Sequence, residues 1–400
     1  MPGFEVFGDE EKREIQDVLD NGVLFRYEFA EQRRGVYKVK EFEERFAAYC
    51  GTGCAQAVTS GTAALKVALT ALGVGPGDEV ITQGFTFVAT WEAILDVGAI
   101  PVFTEVDDTL NMDPVDLRKK ITAKTACIVP VHMLGAQADI ATIVRIAAEH
   151  DIPVLEDTAQ AAGGHIGGKK LGTFGACGTF SFDSVKTMTT GEGGMIITGD
   201  EQLWRRMSEY HDHGHDHQVN PGARGGEGRR FIGFNFRMME LQGALGLAQL
   251  AKLDAMIAAQ QKTRDAILEA ALQIPETTAR RVMDTAGDTA TFCCFTFAEH
   301  QRSQRVNDIL RAAGCGAINF AENTWHFYPR WEHLLAGSSP VHSGWPFSEP
   351  GGKRRIVYDP KALPNSADLI KRTLVIPIPV ILQPERLQLL RNTLKKAATI

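Results

Sequence analysis

Four hundred residues exceed what one typical hydrophobic core organises, so a large α/β domain with a smaller companion is expected. A composition of 44% hydrophobic and 23% charged residues fits a soluble globular chain, and a net charge of -7 argues against a nucleic-acid or polybasic membrane surface. No apolar run reaches membrane-spanning length, the start Met1-Pro2-Gly3-Phe4-Glu5 lacks the features of a secretion signal, and seven scattered cysteines fit reduced thiols in a cytoplasm.

From residue 55 to 200 short apolar strands alternate with amphipathic helices, the pattern of a mostly parallel sheet. Leu65, Ala68, Leu69 and Leu72 fall on one helix face. The run Gly73-Val74-Gly75-Pro76-Gly77-Asp78 stops that helix and turns the chain into a strand at Glu79-Val80-Ile81. Further strands are predicted at 100–103, 126–129, 153–155, 178–181 and 195–197, with helices at 91–97 and 140–149 between them. Residues 211–230 read as a long exposed loop, after which Leu241, Ala244, Leu245 and Ala248 open a long helix that links two subdomains. The chain divides on this reading into a large domain over 1–255, with an N-terminal helical segment, and a small α+β domain over 256–400 with a strand at 291–297. The stretch 340–364 is rich in Gly, Pro and Ser and is expected to be irregular.

Two chemically distinctive residues stand at predicted strand ends. Lys186 follows Ser181-Phe182-Asp183-Ser184-Val185 and precedes Thr190-Gly191-Glu192-Gly193-Gly194, and Asp157 lies in Glu156-Asp157-Thr158-Ala159-Gln160. Open α/β sheets bind ligands beyond the carboxyl ends of their strands, so the fold is able to bring the two together. A lysine amine and a buried carboxylate are the two groups that pyridoxal 5'-phosphate (PLP) chemistry needs. The amine forms an imine with the cofactor aldehyde, and the carboxylate keeps the pyridine nitrogen protonated so that the ring withdraws electrons. Thr59-Ser60-Gly61-Thr62-Ala63 opens the first helix of this region, where free N–H groups and the helix dipole favour a phosphate. A simple Ser N-cap explains the same residues. Phe87 is placed to stack on a flat ring or to fill a core.

Two other patterns compete. Gly163-Gly164-His165-Ile166-Gly167-Gly168-Lys169-Lys170 nearly fits a nucleotide phosphate loop, but Lys170 cannot replace the Ser or Thr that binds Mg²⁺. His211, His213, His215 and His217 alternate with Asp212 and Asp216, which suits either a metal or a substrate-contacting loop. Gly214 loosens the segment and no second ligand cluster is evident, so no metal is assigned. Arg224, Arg229 and Arg230 follow it as carboxylate or phosphate ligands or as a solvated basic stretch.

Together the segments Ser60 to Leu65, Gly75 to Ile81, Val131-His132-Met133-Leu134-Gly135, Glu156 to Gln160, Ser181 to Gly194 and Gly233-Phe234-Asn235-Phe236-Arg237 resemble the DegT/StrS family of PLP-dependent sugar aminotransferases. The resemblance implies a type I PLP-transferase fold and a homodimer with active sites at the subunit interface. It implies that Gly61, Thr62, Ala63 and Ser181 hold the cofactor phosphate, Phe87 stacks on the ring and Gln160 lies beside it. Asp157 would pair with the ring nitrogen, Lys186 would carry the imine, and Asn235 would reach the neighbouring subunit's cofactor. His132, His215, Arg229 and His326 would contact substrate. Glutamate would donate the amino group to a keto- or aldehydo-sugar. Met1 to Glu5, Asp212 to His217 and Asn323-Thr324-Trp325-His326 further resemble the branch that aminates 8-oxo-3-deoxy-manno-octulosonate, though 336–372 departs from it. Aminocyclitol ketones, nucleotide-linked keto-sugars, or a PLP-binding regulator without turnover are the alternatives.

Overall fold

A computed structural model describes residues 3–217, 229–348 and 355–399. Seven strands build the large domain's sheet: β1 (Cys54–Val58), β2 (Glu79–Gln83), β3 (Ile100–Thr104), β4 (Thr125–Val129), β5 (Leu155–Asp157), β6 (Cys177–Ser181) and β7 (Gly194–Thr198). β3, β2 and β4 pair in parallel. Parallel bridges Ile128–Val154 and Val131–Asp157 join β4 to β5, and β5 runs parallel to β6. β7 is antiparallel to both β6 and β1, so it alone runs against the other strands of this sheet. The mixed, mostly parallel sheet is the fold expected from the alternation of elements. β1 is an addition to the predicted set, because Gln56 at its centre breaks the apolar signal while being buried.

Helices α1 (Asp9–Asn21), α2 (Lys38–Cys50), α3 (Gly61–Ala71) and α4 (Ala89–Asp96) precede or cross over these strands. The buried face of α3, with Ala64, Leu65, Ala68 and Leu69, packs on Val80, Val129 and Leu155 of the sheet. Each fully buried Leu or Val contributes about 1.5–3 kcal/mol. Short crossovers deliver every parallel strand to the same edge, which is why the ends of β5 and β6 become neighbours.

The long helix α5 (Glu240–Ala271) crosses the 255/256 boundary drawn from the sequence. Its first half packs on Val39 and Phe42 of α2, close enough that a Cβ at Gly243 would lie 2.6 Å from the Val39 nitrogen. Its last turns, through Ile267, Ala270 and Ala271, enter the small domain's core with Cys293, Phe295, Leu374 and Ile376. That domain carries an antiparallel sheet of β8 (Thr277–Ala279), β9 (Phe292–Phe297) and β10 (Thr373–Pro377). Buried Glu105 of the large domain accepts from Asn365 N at 3.1 Å and Ser366 N at 2.8 Å, and Arg280 donates to Met133 O at 2.7 Å, so the two domains are tied by polar contacts. Among the described residues, no helix is long and apolar enough to cross a membrane.

Candidate active site

Asp157 closes β5 and is almost wholly buried. Thr90 Oγ1 donates to its Oδ2 at 2.9 Å and Ala159 N to its Oδ1 at 3.1 Å. Burial pushes its pKa up, while the two donors and the nearby positive charge of Lys186 pull it down. Lys186 sits in the loop between β6 and β7, closed by Phe182 N to Gly193 O at 2.9 Å and Thr190 N to Phe182 O at 2.9 Å. Burial lowers its pKa against the charges of Asp157 and Asp183. Each member of the pair is thus a costly ion on its own, and a cation facing Asp157 would restore the carboxylate.

Next to this pair lies an anion cradle. Ser60 caps α3, its Oγ accepting from Ala63 N at 3.1 Å. The N–H groups of Gly61 and Thr62 have no acceptor among the described residues and point out of the helix start. Ser181, at the end of β6, packs against Gly61 so closely that a Cβ there would fall 2.7 Å from the Ser181 Cβ. A Cβ at Gly194 would fall 2.3 Å from Ser60 O. Glycine at both positions keeps the cradle open and lets β7 pass the helix start. These donors fit a phosphate, the buried Asp157 fits a protonated ring nitrogen, and Lys186 fits an aldehyde carbon between them.

Phe87 precedes α4 and is partly buried, lying nearly parallel to Trp325 with ring centroids 5.6 Å apart. Gln160 is buried and its Oε1 accepts from Leu134 N at 2.9 Å. His326 arrives from the small domain because its segment pairs with residues 84–88, through Thr86 N to His326 O at 3.0 Å and Val88 N to Trp325 O at 2.9 Å. Burial, and to a smaller extent the charge of Lys186, lower its pKa to about 4.

His132 departs from the expected substrate contact. It is fully buried, its Nε2 lies 3.0 Å from Glu156 Oε2 and its Nδ1 accepts from Ala138 N at 3.1 Å. With both ring nitrogens spent inside the chain, it braces β4 against β5 behind Asp157, and its own N–H donates to Asp157 O at 3.0 Å.

His215, Arg229 and Asn235 form a separate group. The segment 211–217 pairs with 233–237 through the bridge Asp212–Asn235, and His213 N donates to Phe234 O at 3.0 Å. Asp212 is an ion held by Arg237 and by His217, whose Nε2 lies 2.8 Å away, and its pKa is lowered by these partners despite burial. Tyr27 stacks on His217 at 3.6 Å, and Tyr27 Oη lies 3.1 Å from His211 Nε2. Burial pushes the His211 pKa down to about 3. His215 and His217 meet edge to face with ring centroids 4.1 Å apart, and among the described residues no three His, Cys, Asp or Glu side chains gather as a metal set. His215 is buried and lines a cavity of about 580 Å³ with Arg26, Tyr27, Trp204 and His217, whose walls include neither Lys186 nor Asp157. Arg229 is exposed and donates to His213 O at 3.0 Å, Arg230 pairs with Glu209, and Arg224 lies outside the described residues. Within one chain the structure does not bring His215, Arg229 or Asn235 to Lys186.

Sequence reasoning missed Thr90, and it named Asn323 and Trp325 only within a motif, without a role. A threonine in the first turn of a helix carries no distinctive signal, and only the fold shows that it touches Asp157.

Residues 7–395 match the DegT/DnrJ/EryC1/StrS aminotransferase family. The chain is 42% identical over 229 residues to GDP-perosamine synthase of Caulobacter vibrioides, covering 56% of this chain and 59% of that one. It is 43% identical over 230 residues to L-glutamine:2-deoxy-scyllo-inosose aminotransferase of Micromonospora echinospora, covering 55% of each. The chain thus spans less than two thirds of the length of these relatives. Its structure superposes on 3-amino-5-hydroxybenzoic acid synthase with a TM-score of 0.80 and 27% identity, over 98% of this chain and 97% of that one. These relatives are named as a perosamine enzyme and an aminocyclitol enzyme, and neither is named as an octulosonate transaminase. The cofactor is the one expected, PLP or its aminated form, as in the family. With the match running from the first helix to the last, the chain belongs to the DegT/DnrJ/EryC1/StrS aminotransferase family.

Proposed function

We propose that the protein is a PLP-dependent aminotransferase that moves an amino group from glutamate to the carbonyl carbon of a nucleotide-linked keto-sugar or an aminocyclitol ketone. The cofactor supplies the electron sink and carries the amino group between the two substrates. Lys186 Nζ moves the proton to and from the substrate carbon, its lowered pKa keeping more of the amine in the free-base form at neutral pH than an ordinary lysine has. Asp157, oriented by Thr90 and Ala159, holds the opposite charge under the ring nitrogen. Gly61, Thr62 and Ser181 would bind the phosphate, with Ala63 N–H spent on fixing Ser60, and Phe87 and Gln160 would hold the ring. The observation that carries this reading is a buried Asp157 closing β5, beside the parallel β6 that leads into the Lys186 loop and packs at Ser181 against an open helix N-terminus.

Two copies of the chain complete the site in this reading. Asn235 is exposed, and so are Ile232, Phe234 and Met239 around it, as is Val185 next to Lys186. An apolar patch around a phosphate-binding amide suits a face that a second copy covers. Arg229 is exposed and would meet the neighbour's substrate from that donated face, whereas His215 is buried behind it. The motifs at 212–217 and 323–326 keep 8-oxo-3-deoxy-manno-octulosonate as a second acceptor, but the named relatives favour the other two classes.

The test is spectroscopic. Purified protein with added PLP should show the visible band of a lysine-linked cofactor, lost in Lys186→Ala. Glutamate should bleach the wild-type band and release 2-oxoglutarate. A band that glutamate leaves untouched would mark a cofactor-binding regulator instead.

A further inference from the structure

The small-domain loop 323–326 carries a polar atom whose state the geometry determines. Asn323 Oδ1 accepts the backbone N–H of Trp325 at 2.9 Å, which fixes that atom as the oxygen. His326 Nδ1 lies 3.0 Å from the same oxygen, so Nδ1 must carry the proton and donate it. Nε2 is then left as a bare acceptor, and it has no partner among the described residues. The ring is wedged between Phe320 at 5.2 Å and Phe87 at 5.3 Å, and the His326 carbonyl accepts from Thr86 N at 3.0 Å, where Thr86 Oγ1 lies 2.8 Å from the Thr90 Oγ1 that donates to Asp157. Beside it, Trp325 is 58% exposed and lies over Phe87.

A neutral acceptor has a definite preference. It takes a hydrogen bond from a hydroxyl, and it meets a carboxylate lone pair to lone pair. Of the two substrates in the proposed reaction, only the sugar or cyclitol presents hydroxyls next to its reacting carbon. We propose that His326 Nε2 accepts a hydrogen bond from the hydroxyl adjacent to the acceptor's carbonyl, making it a residue for the acceptor step rather than for the amino-acid step. Asn323 is a positioning residue that fixes the tautomer. This inference rests on the aminotransferase reading and names the substrate contact within it.

Protein loaded with pyridoxamine phosphate is mixed with glycolaldehyde or acetaldehyde, which differ by one hydroxyl, and the return of the cofactor's visible band is timed. Wild type should favour glycolaldehyde by about tenfold, the value of one hydrogen bond. His326→Leu should lose most of that preference and lose more rate with glycolaldehyde than with glutamate in the opposite step. Independently of turnover, ¹⁵N NMR of the cofactor-free protein should show His326 as the Nδ1–H tautomer in wild type and a mixture in Asn323→Ala. A wild type without preference, a variant that keeps it, equal losses in both steps, or an Nε2–H tautomer each overturn the proposal. Direct loading keeps these outcomes separate from the aminotransferase reading, which falls only if glutamate fails to aminate the cofactor.

Discussion

Two polar regions of this protein are built on different principles. The cluster around Lys186 and Asp157 stands on the ends of neighbouring parallel strands, and its members come from β5, β6 and the starts of α3 and α4. The group around Asp212, His215 and Asn235 stands on two loops that pair with each other through single bridges and a buried carboxylate. The first has charges that burial drives toward neutrality, a state that a charged ligand relieves. The second has already satisfied its carboxylate with Arg237 and His217, which leaves Asn235 at the surface. The contrast teaches that the strand-end cluster is poised for chemistry, while the loop group serves to hold one amide outward.

The sharpest way to break this contrast is to remove the charge beneath the ring. Asp157→Asn is expected to keep bound cofactor, because the phosphate donors survive, yet to lose on the order of 10²–10³-fold in turnover. Steady-state kinetics with glutamate checks this, and near-normal turnover would remove the distinction between the two regions. Mixing subunits sharpens it further. A Lys186→Ala chain and an Asn235→Ala chain, each of low activity, should together regain one intact site per mixed dimer. Absence of recovery on co-refolding would place Asn235 with its own chain's Lys186. For Asp212→Ala we expect about tenfold weaker cofactor retention, read by equilibrium dialysis, because segment 233–237 loses its anchor. For His132→Ala we expect a stability loss of about 1–3 kcal/mol in denaturant titration from leaving Ala138 N without its acceptor, with no selective rise in acceptor KM.

A smaller effect concerns protonation. Asp157 raises the pKa of Lys186 through its charge, while burial lowers it. Removing that charge in Asp157→Asn therefore shifts the Lys186 pKa further down. The pH profile for reaction of cofactor-free protein with PLP should move to lower pH, and a shift upward would mean that the two groups are not coupled.

The strand-end cluster was legible in the sequence because its physics is local. Small residues around Lys186, a carboxylate closing an apolar run, and Ser60-Gly61-Thr62 before a helix all announce themselves over a few positions. Predicted strands at 79–81, 126–129 and 178–181 were found within a few residues of their observed ends. The antiparallel course of β7 was not legible, since Gly-Met-Ile-Ile-Thr reads the same in either direction of pairing. Nor was the inward turn of His132, which depends on Glu156 from the next strand and on Ala138 six residues on. The loop group reads in sequence as a metal-binding or substrate-contacting His/Asp run, because the contacts of Asp212 with Arg237 and of His217 with Tyr27 form only in three dimensions.

The most direct measurement is chemical. Reduction of the PLP-loaded protein with borohydride, followed by peptide mapping, should place the cofactor on Lys186 and nowhere else. A label on another lysine, or none, would contradict the assignment of this cluster as the active site.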